Sequence, residues 1–138
     1  MTVAVLKNAS VTYNSVDLSD HVEALDIPAV VVKAITTAMG DDTEKSIPGL
    51  KGATITVTFQ QDYAGGSVDA TLWTAYNGGT SHSLVILPNG GSVGPTNPKY
   101  TVTAYVQSYS PISGSVGEVQ RPQVTFEISS GDLARATA

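Results

Sequence analysis

The chain has no cysteine, which excludes a disulfide framework and any thiolate metal site, so its stability must come from packing. Positive charge is scarce: seven Lys and Arg face twelve Asp and Glu, for a formal net charge of -5. Tight binding to a phosphate backbone runs on clustered cations, so nucleic-acid gripping is not expected. Charged residues make up only 14% of the chain, and mean hydropathy lies slightly above zero, at +0.06. Few charges with abundant Thr, Ser, Gly and Val suit β-structure, and they imply a surface partly covered by neighbouring copies. No stretch approaches the roughly eighteen apolar residues of a membrane span. The opening MTVAVLKNAS lacks a basic run followed by a long apolar core, so a protein made in a cytoplasm is expected.

Catalytic chemistry is equally thin. His21 and His82 are the two histidines, one after Asp20 in a capping segment and one opening a strand, and neither comes with partners in named roles. No G-x-S-x-G elbow and no phosphate-binding G-K-[ST] occur. Asp41, Asp42 and Glu44 fall short of a calcium loop and read as a charged patch balanced by Lys45 and Lys51. No enzyme, cofactor or metal is expected.

The strongest positive signal is a change of period between residues 47 and 77. Ile55, Val57 and Phe59 alternate with Thr54, Thr56, Thr58 and Gln60, which predicts a strand with one dry face and one wet face. Gly65 and Gly66 break it. Ser67 then stands where a helix cap belongs, with Asp69 in the first turn. Val68, Leu72, Trp73 and Tyr76 are predicted as the helix core face, and Gly78 and Gly79 as the stop.

Elsewhere, VAVL (3–6) and SVTY (10–13) predict an opening strand or hairpin, Asn14 and Ser15 a turn, and Ser19 or Asp20 a cap for one helical turn. Residues 27–38 read as a long strand, because Pro28 and the Val triplet disfavour a helix, with a helix over 29–39 as the alternative. The charged run 39–49 predicts an exposed loop or hairpin arm. HSLVIL (82–87) reads as a strand closed by Pro88, followed by a Gly- and Pro-rich loop.

From Tyr100 to Tyr109 alternation returns, with Tyr100, Val102, Ala104 and Val106 inward and Thr101, Thr103, Tyr105 and Gln107 outward. In the last predicted strand, 122–128, Val124, Phe126 and Ile128 point in while Gln123, Thr125 and Glu127 point out. The tail GDLARATA is expected to fray or dock on a neighbour. The fold class is therefore mainly β, a β-sandwich or partial barrel with one flanking α-helix, in a single domain over 1–138 with a projecting loop at 40–50. Polar strand faces almost free of basic charge are an ordinary solvated surface or, in a closed ring, the wall of a smooth bore.

PGLKGATITVTFQQDYAGGSVDATLW, with VDLSDHV before it and NPKYTVTAYVQSYSPISGSVGEVQRPQVTFEISSG after it, resembles the major tail tube proteins of long-tailed bacteriophages. The resemblance runs from about Asp17 to Thr137 as a series of phrases in the family's order, with no catalytic signature among them. It implies hexameric rings stacked into a hollow tail tube that conducts the genome into the host cell. The partners it implies are further copies of the chain, the tape measure, terminator and tip proteins of the tail, and DNA that passes without sticking.

By the same resemblance, Thr54, Thr56, Thr58 and Gln60, with Thr101, Thr103 and Gln107, and with Thr125 and Glu127, would face the lumen. Asp41, Asp42, Glu44 and Lys45 would make contacts between subunits or rings, and the protein would reside in the virion tail after synthesis in the bacterial cytoplasm. The alternatives are a β-sandwich binding or capsid-decoration module, and a tube component of a related secretion system.

Overall fold

The computed structural model describes residues 3–138. In chain order the elements are β1 (Ser10–Tyr13), β2 (Val16–Asp17), a 3-10 turn (Ser19–His21), β3 (Val22–Asp26), β4 (Ala29–Ile35), β5 (Ser46–Phe59), α1 (Val68–Gly78), β6 (His82–Leu87), β7 (Lys99–Tyr109) and β8 (Gln123–Ala136). Every strand pairing is antiparallel, in the order β2-β1-β6-β7-β8-β5-β3, with β4 continuing beside β5 as a ribbon. Of the two expected architectures the chain adopts the partial barrel, because one sheet curls around its own apolar face. Its ends approach each other through the 3-10 turn: Leu18 N–H donates to Val11 O (2.9 Å), and Val11 N–H to Ser19 Oγ (2.9 Å).

The period-two pattern is realised where it was clearest. Ile55, Val57 and Phe59 of β5, Val102, Ala104 and Val106 of β7, and Val124 and Phe126 of β8 are buried, joined by Leu84, Ile86, Val11 and Tyr13. Pairings such as Ile55↔Phe126 and Val57↔Val124 hold these side chains on one face, since a slip of one residue would invert them all. Tyr13 sits 4.9 Å from the Phe126 ring, and its hydroxyl donates to Ala104 O at 3.0 Å. Burial pushes the Tyr13 phenol up to about 12.

Helix α1 closes the core. It rests on β7 through Val68, Thr71, Leu72 and Ala75, and Tyr109 of β7 donates its hydroxyl to Asp69 Oδ1 at 2.7 Å. Gly79 stops the helix in the left-handed region (φ 61°), its N–H reaching Ala75 O at 3.1 Å. Ser67 occupies the cap position but does not bond the helix amides; its hydroxyl instead donates to Asp62 Oδ2 at 2.7 Å.

Asp62 therefore organises the entry to the helix, accepting also from Ala64 N–H (3.0 Å) and lying 3.1 Å from His21 Nε2. The Ala64 bond first, then Ser67, holds its carboxyl below the ordinary carboxylate range. A depressed native pKa contributes stability that is complete above the unfolded value and lost as pH falls through the folded one. Asp62→Asn is thus expected to flatten the acid limb of stability against pH and leave the neutral limb parallel to the native protein's, as read by urea unfolding at a series of pH values.

Four expectations are corrected. Val3–Leu6 forms no strand and lies exposed. The tail after Gly131 is not frayed: β8 runs to Ala136, paired with β7 as far as Lys99↔Ala136. The charged run 39–49 takes the hairpin-arm form of its two alternatives, and the projecting loop expected at 40–50 is correspondingly shorter, since β5 begins at Ser46 and pairs it with Ile35.

The fourth correction concerns the helix. Trp73 and Tyr76 are about half exposed and stack on each other at 5.5 Å, while Thr71 and Ala75 take their places on the buried face. At about 100° per residue, the buried Thr71, Leu72 and Ala75 lie within about 60° of Val68 around the helix, whereas Tyr76 lies about 80° and Trp73 about 140° away. The Asn14–Ser15 turn does form, with φ 52° and 64° at the two residues, the paired left-handed geometry of a tight hairpin.

Candidate functional site

Two surfaces stand out, and neither is a cleft. The first is the sheet face opposite the core. Thr54 lies across from Glu127 and bonds it (Thr54 Oγ1 to Glu127 Oε1, 3.0 Å), Thr56 lies across from Thr125, and Thr58 from Gln123. On the other flank of β8, Tyr105 lies across from Glu127, and Thr103 stands between Ser130 and Ser83. Thr101 continues the row opposite Val85, while Gln107 falls at a bulge and Gln60 just past β5, where its side chain donates to Glu23 Oε1 (3.2 Å).

The structure thus gathers the outward set predicted from alternation onto one polar face. Among those positions Glu127 is the only charged side chain. Where this face ends at β3, Asp26 stands opposite Thr56, and Arg121 near the rim is already paired with Glu23 at 2.7 Å. Such a face is hydrogen-bonding and poor in cations, although Lys99 adjoins it two residues before Thr101 on β7.

The second surface is the ribbon of β4 and the first half of β5. All seven residues of β4 are exposed. Val30, Val32 and Ile35 are 57–64% exposed and Leu50 82%, so the ribbon shows apolar side chains with nothing covering them in the subunit. A two-stranded ribbon without a packed face is marginal in water, which argues that something else covers it. A bulge between Val31 and Lys33 brings Val32 O within 2.8 Å of where a Cβ on Gly49 would lie, so this position of β5 accommodates only glycine without a shift.

At the ribbon's tip, three of the four predicted contact residues are committed to the tip itself. Lys45 Nζ lies 3.2 Å from Asp41 Oδ1, Asp41 Oδ2 accepts from Ala38 N–H (2.8 Å), and Glu44 pairs with Lys33 at 2.9 Å. Asp42 makes no side-chain bond among the described residues. The apolar residues flanking this charged tip are what sequence reasoning missed. The signal was available: a Val triplet in a strand whose partner strand reads IPGLKG is apolar without alternation, as befits a strand covered on both faces.

His21 and His82 have structural company. His21 pairs with Asp62, and His82 meets the Tyr13 ring edge-on at 5.6 Å and lies 3.0 Å from Thr80 Oγ1. Among the described residues no group of three or more His, Cys, Asp or Glu is placed to hold a metal ion, and no helix is long and apolar enough to cross a membrane.

Curled antiparallel sheet, single flanking helix and projecting ribbon together define a tail-tube-like fold. The chain is similar to a protein in the virion of a native gene transfer agent particle, with a TM-score of 0.73, 12% identity, and 94% of this chain and 95% of that one covered. It is similar also to the sheath/tube terminator of an extracellular contractile injection system (TM-score 0.70, 13% identity, 99% and 98% covered). A third similar structure is the SPP1 tail tube (0.69, 12% identity, 94% and 77% covered). At these identities the likeness is one of fold. No family model and no curated protein matches the sequence.

Proposed function

We propose that this chain is a structural subunit of a phage tail tube, copies of which close into rings and stack into the conduit for genome delivery. The observation that carries the reading is the pairing, on a tail-tube-like fold, of an uncovered apolar ribbon with a wide polar face poor in cations. The ribbon supplies self-association, and the polar face supplies a wall along which DNA moves without a foothold. Rings of six follow from the family resemblance. In this role the chain carries no catalysis and resides in the virion tail, meeting its own copies along the tube and tape measure, terminator and tip proteins within it and at its ends.

Likeness to a sheath/tube terminator favours a second reading, in which the chain forms a single closing ring rather than a repeating one. Negative-stain electron microscopy with light scattering of the purified protein separates the two. Open-ended tubes support the first reading and isolated rings the second, while a monomer at every concentration would sink both.

Charge on the wall is directly testable. Thr56→Lys with Thr125→Lys adds two facing cations per subunit. Assemblies of this variant are expected to retain short duplex DNA at least tenfold more strongly than the native protein at low salt, and to release it as salt rises. Equal retention would mean that this face does not line the channel.

A further inference from the structure

Alternation along β7 does not stop at Thr101. Two residues earlier, Lys99 opens the strand on the side of Thr101, Thr103 and Tyr105, opposite that of the buried Val102 and Ala104. Register agrees, since Lys99 lies across from Ala136 and Thr101 from Ala134 on β8. The face that shows Thr56, Thr125 and Glu127 at its middle therefore shows an ammonium at the end of β7.

What sets Lys99 apart is its company. Of the chain's seven cations, Lys33, Lys45 and Arg121 are paired with carboxylates. Lys51 shares a groove wall with Glu127 and Asp132, Lys7 shares a hollow with Glu23, and Arg135, in register with Tyr100, turns to the opposite side of the sheet. Lys99 takes part in no ion pair among the described residues. Its neighbours on the face are Thr101, Ala134 and Ala136, none of which neutralises it. Glu127 lies opposite Tyr105, and from Lys99 to Tyr105 the strand runs about 20 Å at the ordinary rise. That is twice the screening length of about 10 Å at 0.1 M salt, so the two charges act separately. Asp132 stands nearer, in the bulge opposite Val102, but it lines the groove on the far side of β8 together with Lys51.

We infer that Lys99 is the phosphate-contact residue of the polar face, meeting the backbone of duplex DNA as it passes. The inference rests on the tube reading proposed above and names the place where the wall touches its cargo. Lys99 is partly buried, and a lysine in that setting lays its stem along the surface and keeps its charged head in water. In a closed ring, symmetry sets every copy of it at one height, so each ring presents a circle of ammoniums. One cation per subunit draws the backbone toward the wall against the repulsion of an acidic protein. Salt loosens so sparse a contact, and the DNA still slides.

Co-sedimentation of short duplex DNA with purified assemblies at low salt tests this, read per mass of assembled protein. Lys99→Gln is expected to lower retention about fivefold or more and to make its decline with salt shallower, while Lys99→Arg keeps the native level. Ala136→Glu sets a carboxylate across from Lys99 and is expected to match that loss with the lysine still present. Arg135→Gln removes the same charge from the opposite side of the sheet and is expected to change nothing. Native retention in Lys99→Gln or in Ala136→Glu overturns the proposal, as does an equal loss in Arg135→Gln, which would mean that retention follows net charge alone. Tubes that hold no DNA at low salt overturn the contact and leave the tube reading standing, whereas native protein that never assembles removes both.

Discussion

A protein carrying Val30→Asp and Val32→Asp is expected to fold normally and to remain monomeric at concentrations where the native chain assembles. Both valines are more than half exposed in the subunit, so the change removes no core contact, and the folding free energy should move by no more than about 0.5 kcal/mol per site. The exposed part of each valine, once covered in an assembled state, contributes roughly 1–2 kcal/mol. Two together make about 2–4 kcal/mol per contact, or roughly one and a half to three orders of magnitude in the association constant. Sedimentation velocity reads the assembly and circular dichroism the fold. Undiminished assembly would show that the ribbon's apolar surface is not the contact, and an unfolded variant would show that it belongs to the core.

Phe126→Ala is expected to have the opposite profile. Phe126 is fully buried, faces Ile55 across β5 and packs on Tyr13, so truncation leaves a cavity at the centre of the curled sheet. Large-to-small changes of this kind cost about 3–5 kcal/mol. Against a total stability of order 5–15 kcal/mol, that lowers the melting temperature by roughly 10–20 °C. Thr125→Ala, one residue away on the wet face, should change it by at most about 0.5 kcal/mol. Comparable losses from the two would mean that the strand is turned over relative to the structure, and that the proposed wall is its interior.

This contrast marks what the sequence made legible. Where a strand has one wet and one dry face, as in Thr54–Phe59 and Thr101–Val106, alternation places each side chain, and the pairs Thr56↔Thr125 and Ile55↔Phe126 realise the predicted sides. Turns with a chemical reason were legible too: Asn14–Ser15 tolerates positive φ, and Gly79 supplies the left-handed helix stop. The misses share another cause. Trp73 and Tyr76 were assigned to the core by their apolar character, although they stand about 140° and 80° around the helix from Val68, off the face that Val68, Leu72 and Ala75 share.

The strand potential of Val3–Leu6 and the apolar runs of β4 and early β5 were visible, but their partners were not. Local sequence reports what a segment is able to pair with, and says nothing of whether the pairing lies within one subunit. The divergence of β5 and β8 past Thr54 and Glu127, with Gly131–Leu133 bulging from β8, is likewise a property of long-range register that no local pattern encodes.

On the proposed reading, in which copies meet through the exposed ribbon, that ribbon also sets a ceiling on how much free subunit accumulates before chains associate. Above that ceiling, newly made chains collect through the ribbon whether or not a growing end is present to receive them. Productive capture and disordered clumping then draw on the same surface, and the winner is decided by which arrives first. The rate of synthesis relative to the number of growing ends therefore governs yield as firmly as the strength of any single contact.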